Sequence, residues 1–411
     1  LTSPILNDTD SDKLPDKWEL QYSNDPLSAE NASMDVDADQ FSALEEYYGN
    51  TDPSDASDFP LPIAWKTDQG NERHTGYTPH ILDSSKFSFK WEVDSLWGSL
   101  LPVTATDSMV FVSSDSYFSS QGIAGLDAKT GNIVWQLDYE GIHSINAPAY
   151  DDGNVFFQTG GHGDSYIRSV DALTGELEFE SSYGNQWSRY LAPTIYAGNV
   201  YMAGGYYGGT YGFDGSTGEQ SWFYSGPQYD EFTPAVDENN VYSFTTKLDI
   251  LDRSTGALTN SIAFPNFNWS GYSVGVSTVI TSNNNVVVTQ RGTLVVFDVE
   301  NLKIKWEKVS SGFSSQVSVA NGNVYALANG SLYSIDEESG ETHWIQGSRN
   351  YNTNIIVTKT HLIVGDSSNT YAINLDTQEE DWSYAASGYL ALSEEGTLYI
   401  SGSSLVAITL K

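Results

Sequence analysis

Asp127-Ala-Lys-Thr-Gly131-Asn-Ile-Val-Trp135 is a phrase that the chain repeats. It returns at Asp171 to Phe179, Asp214 to Trp222, Asp252 to Asn260, Asp298 to Trp306, Asp336 to Trp344 and Asn374 to Trp382. The ring position falls eight residues after the acid position each time, with Asn260 and Asn374 as departures. Thr-Gly or Ser-Gly stands in the middle of five of the seven copies, which is turn chemistry between two strands. The period of about 38 to 46 residues is that of one four-stranded propeller blade.

A second pattern precedes each copy: an alternating strand, a turn and another alternating strand. Ala147-Pro-Ala-Tyr-Asp-Asp-Gly-Asn-Val-Phe-Phe157 is one example. The others are Val103 to Val112, Ala192 to Met202, Thr233 to Phe244, Gly275 to Val288, Val317 to Leu327, Asn354 to Val364 and Leu390 to Ile400, which makes eight pairs. The last pair leads into Leu405-Val-Ala-Ile-Thr409, one strand short of a blade. Phe87-Ser-Phe-Lys-Trp91-Glu-Val93 can supply that strand and its ring, so an N-terminal strand closes the circle and removes exposed sheet edges. The expected fold is all-β, an eight-bladed β-propeller over residues 86–411.

Leu126-Asp127-x-x-Thr130-Gly131-x-x-x-Trp135 resembles the repeat of the PQQ-type, BamB-like propellers. The resemblance implies that the Trp packs between neighbouring blades and that the Asp and Trp positions are structural. It also brings in two kinds of relative, quinone-dependent dehydrogenases and non-enzymatic assembly proteins.

Composition agrees with an all-β protein and narrows the function. Aromatic residues make up 13% of 411, with 36 glycines. The 54 acidic residues against 18 basic ones give a net charge of -36, which repels nucleic acid and anionic membrane surfaces. Cysteine is absent, which excludes disulfides, thiolate catalysis and Cys-based zinc sites. No stretch is apolar enough to span a bilayer as a helix, and Leu1 is not followed by a basic and apolar leader, so a mature or excised form is expected.

Residues 1–60 carry a different repeat. Asp8-Thr-Asp10-Ser-Asp12-Lys-Leu14-Pro-Asp16-Lys-Trp-Glu19 sets oxygen donors at positions 1, 3, 5, 9 and 12 of an EF-type loop, with the Leu14 carbonyl at position 7. Asp35-Val-Asp37-Ala-Asp39-Gln-Phe41-Ser-Ala-Leu-Glu-Glu46 repeats the spacing, with the Phe41 carbonyl at position 7 and Ala43 leaving room for water at position 9. The pair resembles the bacterial thrombospondin type 3 repeat, which implies that calcium orders a chain with little core of its own. Lys13 and Gln40 depart from it, standing where an EF-type loop turns sharply on Gly. Acidic runs are also what solvated linkers look like, and two copies in register argue against that here. Residues 61–85 read as a polar linker.

In a propeller the loops entering the inner strands and those joining the middle strands share one face. In this sequence that face gathers Trp97, Tyr117, Phe118, Trp187, Tyr190, Tyr206, Tyr207, Tyr229, Trp269 and Tyr272 with His143, His162, Asp164 and Arg189. Rings with scattered polar groups suit stacking on sugars or clamping a peptide, and the same rings can simply pack loops over the channel. The expected function is a secreted, marine-type binding or scaffold module for adhesion, glycan or protein recognition, or assembly. Residues 1–60 would then connect it to the cell surface or an upstream domain. One alternative is a polysaccharide lyase for a uronate polymer such as ulvan, with His143, His162, Arg189, Tyr190 and Tyr207 as candidates for charge neutralisation and proton transfer. The other is a quinone-dependent dehydrogenase. PQQ is not expected, because many such enzymes set adjacent cysteines against it and this chain has none.

Overall fold

The acid and the ring of the repeated phrase stand on consecutive strands, and the turn between them explains the spacing. Asp127 ends the strand Gln121–Asp127, and its Oδ1 accepts from the Lys129 and Thr130 N–H groups and the Thr130 hydroxyl at 2.8–3.1 Å. Asp171, Asp214, Asp252 and Asp336 do the same in their turns, and the Ser216 and Thr217 donors hold the Asp214 carboxyl down at about 2. The chain then passes through Gly131 at φ 73° and starts the next strand, Ile133–Tyr139.

The ring eight residues on reaches into the following copy. Trp135 Nε1 donates to Ala172 O at 2.9 Å, and its indole covers Gly175, where a Cβ would lie 2.8 Å from the ring. Trp91 repeats this over Gly131, Trp222 over Gly256 and Trp306 over Gly340. The glycine is therefore required twice, for its left-handed φ and for the neighbour's ring. Gly175→Ala, with φ 72°, is expected to lower unfolding free energy by about 2–4 kcal/mol in a denaturant titration, from left-handed strain plus overpacking. Gly198→Ala has nearly the same φ, 73°, and nothing within 4 Å, so it should cost only about 1–2 kcal/mol. Equal losses would refute the packing role.

The computed structural model describes residues 8–94, 96–118, 121–139, 141–161, 163–185, 189–267, 271–347 and 349–411, with Ser310 described by its backbone alone. The chain divides into two units, Leu1–Pro62 and Ile63–Lys411. Among the described residues of the second unit, strands form six sheets of four or five strands and one of seven. In the seven-stranded sheet the long strand Lys303–Ala320 pairs with Gly292–Asp298 through its first half and with Asn323–Ala328 through its second. The last sheet takes its outer strand from the other end of the unit: Ser88–Asp94 pairs antiparallel with Ser404–Thr409, Trp91 opposite Ala407.

Middle strands are buried along their whole length, as in Met109–Ser113 and His361–Gly365, because both faces meet neighbouring sheets. Outer strands such as Ile133–Tyr139 alternate, sending Trp135, Leu137 and Tyr139 inward. The short first strands neighbour one another in sequence, from Thr104–Ala105 to Ala149–Asp151, Thr194–Tyr196, Ala235–Val236 and Val279–Ile280. The series continues through Lys303–Ala320, Ile356–Val357 and Tyr389–Leu392, which again lies beside Thr104–Ala105. The unit is an all-β propeller.

Residues 63–85, expected as a linker, belong to this unit instead. Trp65, Thr67, Gln69, His74, Thr78 and His80 are buried. The segment donates or accepts backbone bonds with Ala105, Tyr150, Val236, Ile280, Val319 and Val357 in turn, all at 2.7–2.9 Å. Thr67 Oγ1 donates to Pro193 O, and His80 Nε2 bonds Ser393 O. A polar composition reads as a linker only when its groups face water; here they satisfy the free edges of the first strands.

In the first unit two short helices, Asp16–Gln21 and Ala43–Gly49, follow the acidic loops. Ser42 and Glu45 form a capping box on the second. The apolar core is small: Leu14, Ala32 and Ala43, with Trp18, Leu44 and Tyr47 packed against it.

Candidate functional site

The segment at 65–69 covers one end of the space inside the first strands, and the loops at the other end line a cavity of about 600 Å³. Its floor is Trp65, Thr67, Asp68 and Gln69, and its wall includes Asp115, Arg189, Tyr190, Glu231, Gln316, Asn354 and Tyr389. Gln69 is fixed by Nε2 bonds to Ser318 Oγ at 3.0 Å and Val317 O at 3.2 Å. His74 anchors the segment below it, with Nδ1 on Thr278 O and Nε2 on Thr194 Oγ1, both at 2.9 Å.

Arg189 pairs with Asp115 at 2.6 Å and lies 5.6 Å from the centre of the Tyr117 ring. Its carbonyl accepts from the Glu231 N–H at 2.7 Å. Glu231 takes φ 53°, a left-handed conformation rare outside glycine, and accepts from Ser273 Oγ. Burial holds the neighbouring Asp230 at about 6, with Glu231 adding to the shift.

The structure brings together only some of the expected face. Arg189 and Tyr190 line the cavity. His143 is buried between the rings of Tyr117 and Phe118, at 5.1 and 5.0 Å, and burial lowers its pKa. It joins Arg189 through Tyr117. Tyr229 is buried against Phe267, whereas Tyr206, Tyr207 and Tyr272 are exposed. Trp97 packs on Gly122 and donates to Asp138 at 3.1 Å, on the side of the first sheet rather than in the cavity lining. His162, Trp187 and Trp269 lie outside the described residues. Sequence reasoning missed Asp68, Asp115, Glu231 and Tyr389. The available signal was Trp65, Tyr77, Ile81 and Leu82 with His74, His80 and two glycines inside a stretch rich in polar residues.

In the first unit the carboxylates of Asp8, Asp10 and Asp12 converge, with one oxygen of each within 4.8 Å of the others, and those of Asp35, Asp37 and Asp39 do the same. Asp8 accepts from the Ser11 and Lys13 N–H groups, and Asp35 from those of Ala38 and Gln40, so the two loops turn alike. Lys13 and Gln40 take φ 80° and 84°, the conformation that glycine would adopt freely. Glu19 and Glu46 are completely buried; one oxygen of Glu19 and both of Glu46 have no hydrogen-bond donor. Burial pushes Glu19 up to about 7 and Glu46 up to about 8, and the aspartates of each loop add to it. Asp16 is turned to another task, with its two oxygens on the N–H and hydroxyl of Thr9.

The sequence matches the family model of outer membrane protein assembly factor BamB over residues 85–245, 119–346 and 266–409. The chain belongs to the BamB family. No curated protein matches it. BamB from Moraxella catarrhalis superposes with a TM-score of 0.63 at 17% identity, covering 79% of this chain and 99% of its own. A quinohemoprotein alcohol dehydrogenase from Comamonas testosteroni gives 0.67 at 14% identity, covering 93% and 84%. A europium-containing methanol dehydrogenase gives 0.63 at 13%, covering 83% and 90%. At such identities the likeness is one of fold, and function rests on the site.

The fold's association with PQQ is testable on the lining of this BamB-family cavity. PQQ is a tricarboxylate, and Asp68, Asp115 and Glu231 face the space while Arg189, the one cation among the described lining residues, is already paired with Asp115. These residues do not fit such an anion. Among the described residues no helix is long and apolar enough to cross a membrane.

Proposed function

We propose that the chain is an extracellular binding or scaffold module: an eight-bladed propeller closed by Ser88–Asp94, with its ligand in the cavity, preceded by a calcium-loaded unit. The blade count takes the seven-stranded sheet as two blades sharing Lys303–Ala320. Membership of the BamB family supports a scaffold role. The observation that carries the ligand site is the cavity itself, about 600 Å³, floored by residues 65–69 and walled by groups from several sheets. Calcium is supported by the buried, donorless oxygens of Glu19 and Glu46 beside two aspartate triads. The lyase reading draws on Arg189 and Tyr190 in the same lining, and against it stand the Asp115 partner of Arg189 and the nearby Asp68 and Glu231.

Ser403 is exposed and lines the cavity, so Ser403→Trp obstructs it without entering a core. On an array of glycans and secreted proteins, the native protein is expected to retain a ligand that the Ser403→Trp variant does not. Release of unsaturated product from a uronate polymer would replace this reading with the lyase, and dye reduction after adding quinone would replace it with the dehydrogenase.

A further inference from the structure

We propose that the cavity selects a ligand bearing a protonated amine or guanidinium group, held by Glu231 and Asp68. This rests on the cavity being the ligand site and names the chemistry of what enters it.

The chain's own cation shows how the wall receives positive charge. Arg189 meets the Asp115 carboxylate at 2.6 Å and the face of Tyr117 at 5.6 Å, and that arrangement is complete. Glu231 and Asp68 face the same space, and among the described residues the hydrogen-bond donors to their side chains are hydroxyls, Ser273 Oγ on Glu231 and Ser277 Oγ on Asp68. A hydroxyl gives one proton and no net charge, so both carboxylates keep open acceptor positions. Among the described lining residues Asp68, Asp115 and Glu231 are acidic and Arg189 is basic, so acidic groups outnumber basic ones.

These groups share one neighbour in the lining, Tyr389. Tyr389 is raised first by burial, and Arg189, Asp115, Glu231 and Asp68 all act on its phenol. Burial also holds the Asp68 carboxyl above its usual range, with His74 and the Ser277 hydroxyl pulling it back in part. The position of Glu231 is set by its backbone rather than by chance: its N–H binds Arg189 O and its carbonyl accepts from the Gly275 N–H at 2.9 Å. A neutral polyol leaves the excess charge unmet, and an anion is repelled. An ammonium or guanidinium supplies charged donors to the open acceptor positions of these carboxylates.

Calorimetric titration of the full chain in calcium-saturated buffer, with argininamide, glucosamine, N-acetylglucosamine and glucuronate, tests this. Argininamide and glucosamine are expected to bind, and Glu231→Gln and Asp68→Asn to weaken them by ~10-fold or more each, with melting temperatures recorded to show that both variants fold. Ser403→Trp should abolish the binding. If N-acetylglucosamine or glucuronate binds as tightly as glucosamine and is blocked by Ser403→Trp, the charge selection is overturned while the ligand site stands. Binding of the cations that Ser403→Trp leaves unchanged, or no binding by any probe, overturns the proposal.

Discussion

A chain beginning at Phe87 is expected to lose on the order of 5–10 kcal/mol of stability relative to one beginning at Ile63, enough to leave it largely unfolded at room temperature. The first strands are only two or three residues long in most sheets, and their outward edges would carry unpaired N–H and C=O groups. The segment 65–80 pairs them one after another. Trp65 exchanges both backbone bonds with Ala105 at 2.9 Å, Glu72 O accepts from Val236 N–H, Arg73 O from Ile280 N–H, and Thr75 O from Val319 N–H. Gly76 O accepts from Val357 N–H, and Thr78 N–H donates to Val357 O. Each lost partner leaves a buried polar group, at about 1 kcal/mol or more apiece. His74→Ala in the full chain is the milder version: it takes one partner from Thr278 O, leaves Thr194 Oγ1 with Pro234 O alone of its two short bonds and opens a void, for about 3 kcal/mol. Denaturant titrations of both chains and of His74→Ala check this. A loss below about 2 kcal/mol on truncation would mean that the sheets hold their arrangement without the segment.

That segment also marks where the sequence stopped being readable. The acid, glycine and ring of each copy are local: Asp127 acts within three residues and Trp135 on the next copy's Gly175, so spacing alone exposes them. The borrowed strand was legible for a similar reason, because Trp91 fills a gap in a count. Thr67, Gln69 and His74 make their bonds to residues 120 or more positions away, and nothing in their neighbours in the chain announces a partner. A buried polar segment and a solvated one have the same composition; only the destination of their hydrogen bonds differs. The cavity lining behaves likewise. Arg189 and Tyr190 stood out by residue type, whereas Asp115 and Glu231 became visible only when Arg189 was seen to touch one side chain and the other's backbone.

Removing calcium is expected to unfold the first unit and leave the second intact, so that trypsin cuts at Lys13 and Lys17 in chelator but not in calcium. The reason is electrostatic. Asp8, Asp10 and Asp12 converge within 4.8 Å with Glu19 sealed behind them, and Asp35, Asp37, Asp39 and Glu46 repeat the arrangement. Carboxylates this close, with buried oxygens lacking donors, repel one another and carry an unrelieved desolvation cost. Leu14, Ala32 and Ala43 with the rings of Trp18 and Tyr47 bury too little to offset both that repulsion and the ordering of the backbone. A divalent cation reverses the sign of the balance, and binding becomes folding. Glu46→Gln removes charge where both oxygens lack a donor, so it should weaken calcium binding at the second loop by at least ~10–100-fold, the range that loss of a mere outer partner produces. Lys13→Gly and Gln40→Gly should act in the opposite direction, since φ 80° and 84° cost a side-chain-bearing residue about 1–2 kcal/mol that glycine does not lose. A tryptic pattern identical with and without chelator, or a Glu46→Gln chain that binds calcium like the native one, would show that the acidic loops hold their shape by other means.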